Sequence, residues 1–90
     1  MSIAAQIELR YFGQLAELVG KSSETLELGE VGAISSLSAL RAFLAGRDEQ
    51  WQKAFDHSAQ LCAINQKIVH HDAALKPGDE VAFFPQVTGG

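Results

Sequence analysis

The clearest helix in this chain lies between Ser36 and Gly46, and it limits most strongly what the other segments can become. The Ser36 side-chain oxygen can accept a backbone N–H left unpaired at a helix start. Leu37, Leu40 and Leu44 fall on one face, Phe43 widens that face, and Gly46 offers the stop. Ninety residues leave room for one core only. The apolar face of this one main helix must therefore be covered by whatever the flanking segments form.

Those segments read as strands. Gln6-Ile7-Glu8-Leu9-Arg10-Tyr11-Phe12 alternates, sending Ile7, Leu9 and Tyr11 toward the core and Glu8, Arg10 and Phe12 the other way. Phe12 is the odd member of that outer face. Thr25-Leu26-Glu27-Leu28 alternates again and ends at Gly29. Leu61-Cys62-Ala63-Ile64 is a short apolar run fit for a central strand; Asn65-Gln66 makes a turn, and Lys67 to His70 a brief return strand. Lys76-Pro77-Gly78-Asp79 is a strong turn, with proline presetting φ and glycine supplying φ > 0. Glu80 to Phe84 then forms the last strand, and Pro85 ends it. Phe83 and Phe84 must point to opposite faces. Val81 and Phe83 pair with the core, which leaves Phe84 outward.

Two lesser segments complete the pattern. After Gly13, Leu15, Leu18 and Val19 recur at helical spacing and Gly20 stands where a helix C′ glycine belongs, followed by a turn at Lys21-Ser22-Ser23. From Arg47 to Gln60 the pattern is least legible. Trp51, Ala54 and Phe55 suggest one amphipathic turn, with Trp51 and Phe55 as satellite core. The expected class is α+β: one sheet packed on one main helix, the first and last strands being central neighbours.

Composition excludes several functions. The apolar fraction of 47% rules against general disorder. The net charge of −4, with both signs interspersed, offers no basic stripe for nucleic acid and no attraction to an anionic membrane surface. No stretch approaches the roughly 20 apolar residues of a membrane span. The start, Met1 to Gln6, has no positive region before an apolar run, and the single Cys62 cannot form an internal disulfide, so the expected location is cytoplasmic. Leu61, Ala63 and Ile64 around Cys62 point to a buried thiol. His57, His70 and His71 do not have metal-ligand spacing, and Asp48-Glu49 reads as a solvated patch. With no glycine-rich phosphate loop and no nucleophile–base pair in view, ATP belongs on a partner.

Chemistry concentrates after Pro85, where the chain reads Gln86-Val87-Thr88-Gly89-Gly90. Proline lacks the N–H for another ladder bond and holds Phe84 extended, so residues 86–90 are expected to leave a domain of residues 1–85 as a flexible tail. Two glycines at one given end arise by chance in roughly one chain in 200. Without side chains they can enter a channel closed to other residues, and they present an unhindered α-carboxylate. Adenylation by ATP would activate that carboxylate. A sulfur nucleophile could then displace AMP and leave a thiocarboxylate able to deliver sulfur in a partner's pocket.

These residues resemble the molybdopterin synthase small-subunit family of ubiquitin-like β-grasp sulfur carriers, from about Ile7 to Gly90. The most specific part is Gly78-Asp79-Glu80-Val81-Ala82-Phe83-Phe84-Pro85 followed by Val87-Thr88-Gly89-Gly90. Weaker support comes from Glu17-Leu18-Val19-Gly20 and Ala63-Ile64-Asn65-Gln66. The resemblance implies a β-grasp fold with a mixed sheet and an extended C-terminal tail. It implies that a ubiquitin-activating-type adenylyltransferase uses ATP to adenylate Gly90, and that a sulfur-mobilising enzyme converts it to the thiocarboxylate. It further implies that Val87, Thr88, Gly89 and Gly90 insert into the large synthase subunit, where sulfur passes to cyclic pyranopterin monophosphate for molybdenum cofactor. The large subunit would supply the catalytic side chains in a heterotetramer, this chain binding no cofactor itself. The family's apolar docking surface maps onto Phe12, Ile68 and Phe84. Two departures stand out: Gln86 replaces a usual second proline, and Ala16 replaces a basic residue often found before Glu17.

Other readings share parts of this pattern. A sulfur carrier for thiamine synthesis or tRNA thiolation has the same fold and diglycine end, although the Phe-Phe-Pro exit and the extra first helix favour molybdopterin. A non-covalent ubiquitin-like binding module would tolerate loss of Gly90. A modifier joined to lysines would give conjugates of higher mass.

Overall fold

Alternation becomes a strand from Gln6, and its two faces set the rest of the structure. The computed structural model describes residues 6–27, 35–55, 61–70 and 72–85. Strand β1 (Gln6–Tyr11) buries Ile7, Leu9 and Tyr11 and exposes Gln6, Glu8 and Arg10. Helix α1 (Gln14–Val19) follows and stops where Gly20 turns left-handed at φ 80°, its N–H donating to the Ala16 carbonyl. Strand β2 (Ser23–Glu27) begins two residues before the expected Thr25, because Ser23 and Glu24 pair with Arg10 and Leu9 in register. Leu28 and Gly29, expected to end it, lie outside the described residues.

Helix α2 (Leu37–Ala45) starts as its sequence demands. The Ser36 hydroxyl accepts the Ala39 N–H at 3.2 Å, and Leu37, Leu40 and Leu44 are buried. A second cap arrives from a distant loop, where Asp72 accepts both the N–H and the hydroxyl of Ser38 at 2.8 Å. Those two bonds hold the Asp72 carboxyl below the usual carboxylate range. Helix α3 (Glu49–Phe55) is seven residues rather than one turn, and Asp48, expected only as part of a solvated patch, starts it by accepting the Trp51 N–H at 3.1 Å. Strands β3 (Leu61–Ile64) and β4 (Lys67–Val69) form a hairpin, and β5 (Glu80–Phe84) closes the chain's sheet.

The sheet order is β2-β1-β5-β3-β4. The first and last strands are central neighbours, as expected, and run parallel with Leu9 beside Val81 and Tyr11 beside Phe83; every other pairing is antiparallel. One face carries Ile7, Leu9, Tyr11, Leu26, Cys62, Val81 and Phe83 into a single cluster with Leu37, Leu40 and Leu44 of α2. This mixed sheet on one main helix is the β-grasp arrangement.

Trp51 and Phe55 belong to this main core and are not a satellite. Tyr11 stacks on Phe83 and meets Trp51 and Phe55 edge-on, with centroids 5.4 and 6.2 Å away. A polar bracket closes the edge of that aromatic group. Glu24 accepts the Tyr11 hydroxyl at 2.7 Å and a bidentate pair of bonds from Arg47 at 2.7 and 3.0 Å, while the guanidinium lies 4.5 Å over the Trp51 ring. Burial opposes the Glu24 charge. The bonds from Arg47 and Tyr11, with the charges of Arg47 and Lys21, outweigh it and lower the carboxyl's pKa.

Candidate functional site

The period of two that buries one face of the sheet leaves the other without a covering helix among the described residues, and beside Glu8, Arg10, Thr25 and Glu80 that face carries large apolar side chains. Register lines them up across four strands. Arg10 stands beside Ala82, Ala82 beside Ala63, and Ala63 beside Ile68; one step toward the sheet's exit end, Phe84 stands beside Leu61. Phe12 follows β1 and stacks on Phe84, with centroids 4.8 Å apart and planes within 9°. Two alanines make a low floor, and aromatic and branched side chains make its walls. The resulting depression is about 390 Å³, lined by Phe12, Ala63, Ile68, Ala82 and Phe84, with Arg10, Gln66 and Glu80 at its polar end. Phe12 is 43% exposed and Ile68 49%, large apolar side chains left open to water.

Each wall is held in place by local chemistry. The hairpin that carries Gln66 and Ile68 turns through Asn65 (φ 51°) and Gln66 (φ 70°), the left-handed pair that a two-residue turn requires. Asn65 also reaches across to β5: its Nδ2 donates to Asp79 at 2.9 Å and its Oδ1 accepts the Glu80 N–H at 3.0 Å. Asp79, buried, accepts the Lys76 N–H with its other oxygen at 2.8 Å. One clasp therefore joins the β3–β4 hairpin, the Pro77-Gly78 turn and the start of β5. At the opposite end of β5, Pro85 packs beside Gly13, where an added Cβ would lie 3.0 Å from the proline ring. The chain thus leaves the sheet next to Phe12 and Phe84. At the polar end, Arg10 Nε donates to Glu80 at 2.6 Å.

Of the residues singled out in the sequence, Phe12, Ile68 and Phe84 are brought onto one surface. Val87, Thr88, Gly89 and Gly90 lie outside the described residues, as do His57 and His71. Arg10, Gln66 and Glu80 escaped notice as neighbours of that surface. The signal was present, since alternation puts Arg10 two residues from Phe12 and Glu80 four from Phe84 on the same face. Cys62 is buried, and burial pushes its thiol up to about 11 despite the nearby charge of Arg41, so it is not a nucleophile at neutral pH. Among the described residues, no three His, Cys, Asp or Glu side chains are grouped to hold a metal ion, and no helix is long and apolar enough to cross a membrane.

Residues 9–90 match a family model described as the ThiS family. The chain is 41% identical over 85 residues to the molybdopterin synthase sulfur carrier subunit of Escherichia coli strain K12, covering 93% of this chain and 99% of that one. It is 37% identical over 84 residues to the protein of the same name from Haemophilus influenzae, again covering 93% and 99%. Among solved structures, small archaeal modifier protein 1 of Haloferax volcanii superposes with a TM-score of 0.69 at 20% identity, covering 92% of this chain and 99% of that one, a likeness of fold alone.

Proposed function

This chain belongs to the ThiS family, and from that we propose that it is the sulfur-carrier subunit of a molybdopterin synthase. The observation that carries the reading is near-full-length similarity to sulfur carrier subunits of that synthase, at 41% and 37% identity. The geometry agrees with it. A carrier needs a surface for its partner and a slim reactive end beside that surface. Here the apolar depression and the exit of β5 at Pro85 are adjacent.

The working group is the carboxylate of Gly90. Its oxygen attacks the α-phosphorus of ATP on a ubiquitin-activating-type adenylyltransferase, pyrophosphate leaves, and an acyl adenylate forms. A sulfur nucleophile supplied by a sulfur-mobilising enzyme then displaces AMP, and the thiocarboxylate remains. Phe12, Ile68 and Phe84 dock on the large subunit of the synthase, and Val87, Thr88 and Gly89 carry the end into its active site. There the thiocarboxylate sulfur bonds to a carbon of cyclic pyranopterin monophosphate in place of an oxygen leaving group, and water cleaves the acyl–sulfur bond, so sulfur stays on the substrate and the free carboxylate is regenerated. Every step takes place in the cytoplasm, and the catalytic side chains belong to the large subunit.

Intact-mass measurement tests this directly. The chain is purified with its native C-terminus from cells that hold the activating machinery. A species heavier by one oxygen-for-sulfur exchange, and absent when Gly90 is deleted, is the expected result. If only the carboxylate form appears, even with activating enzyme, ATP and sulfur donor supplied, the carrier reading fails.

A further inference from the structure

The docking surface is apolar except at one end, and there a single cation pairs with an acid. Arg10 is the only cation among the described residues that line the depression. Its Nε donates to Glu80 at 2.6 Å, and the Arg10 side chain is 51% exposed while Glu80 is 27% exposed. Neither Nη nitrogen meets an acceptor among the described residues. A guanidinium paired through Nε still presents the planar Nη1/Nη2 fork at its far end. Such a fork matches a carboxylate. We infer that Arg10 selects the partner: the protein that closes over Phe12, Ile68 and Phe84 brings a carboxylate side chain against the Arg10 Nη groups.

This rests on the reading of that surface as the docking face for the large synthase subunit. One feature favours a carboxylate over a neutral acceptor. Once a partner excludes water, the donors lose their hydration, and a charged acceptor compensates them best. Glu8 and Glu80 stand side by side on this face, so a basic partner side chain is the alternative. The Nη fork would repel it, and Glu80 is already committed to Nε. Glu80 acts as a positioning residue and Arg10 as the contact.

The experiment measures binding of the full chain to the large subunit of its own synthase at several salt concentrations. Arg10→Leu, an exposed change that keeps the stem's bulk, should weaken binding about tenfold and flatten the dependence of affinity on salt. Arg10→Glu should weaken it further and reverse the sign of that dependence, because salt screens a repulsion. Arg10→Lys should recover part of the affinity. Glu80→Gln should lose less than Arg10→Leu and steepen the salt dependence, because it removes a negative charge beside the contact. A merely structural Arg10 would leave the salt slope unchanged in every variant. If the unaltered chain binds and Arg10→Leu binds equally well with the same slope, the inference is overturned while the docking reading survives. If the unaltered chain does not bind the large subunit, both fall together.

Discussion

Replacing Ile68 with alanine probes the docking surface at the point where folding depends on it least. Ile68 lies on the edge strand β4 and is 49% exposed, so half of its side chain still faces water in the free chain. Full burial of a side chain of this kind is worth roughly 1.5–3 kcal/mol, which leaves about 1 kcal/mol to be gained when a partner closes over the exposed half. Affinity for the large subunit should therefore fall about fivefold. Stability of the free chain should fall by about 1 kcal/mol, the share of that burial already made within the sheet. Phe12→Ala should also weaken binding, and because it removes the ring stacked 4.8 Å from Phe84 within the free chain, it should cost about another 0.5–1.5 kcal/mol of folding stability. Calorimetric titration against the large subunit, with urea unfolding of each free variant, separates the two quantities. Affinities equal to that of the unaltered chain for both variants would refute the docking surface. A stability loss near 2 kcal/mol for Ile68→Ala would show the side chain to be structural and the reasoning from exposure wrong.

Three further outcomes follow from the polar contacts. Glu24→Gln should destabilise the chain by about 1–3 kcal/mol near neutral pH, because it replaces an acceptor that serves both Tyr11 and Arg47. Since the folded state lowers the Glu24 pKa, that stabilisation is present above the ordinary value of 4.5 and disappears as pH falls through the folded value, so urea midpoints of variant and parent should converge in acid. The Cys62 thiol, pushed up to about 11 by burial, should resist a thiol reagent at neutral pH and react only as denaturant opens the fold, at a rate that tracks unfolding. Asn65→Gly should be less destabilising than Asn65→Ala in urea unfolding: both lose the clasp to Asp79 and Glu80, but only glycine accepts φ 51° without strain.

Much of the fold is local enough to be read from the chain. Alternation in β1 exposes its two faces directly, Ser36 and Gly46 bound α2 by backbone chemistry, and Gly20 ends α1 for the same reason. Phe12 and Phe84 are recognisable as outward because their neighbours at odd spacing are needed in the core. What stayed hidden is held by partners far apart in sequence. The bracket of Tyr11, Glu24 and Arg47 joins β1, β2 and the turn before α3, and nothing in any one segment announces it. The place of Trp51 in the main core was hidden with it: Arg47, bonded to Glu24, covers the indole at the aromatic edge. Asp48 looked like surface charge, yet its acceptor starts a helix. Arg10 was assigned to the correct face but only the register with Ala82, and the reach to Glu80, put it at the end of the depression.

The parallel pairing of β1 with β5 has a mechanical consequence. Tension applied through the tail while the domain is held elsewhere loads β5 along its own length. The bonds to β1 and β3 on either side then carry that load together in shear and cannot be peeled one after another. If the end is drawn into one protein after another, as proposed above, it is pulled there repeatedly. By placing the strand that bears the tail at the middle of the sheet, this fold lets the end be tugged without the domain beginning to unravel from it.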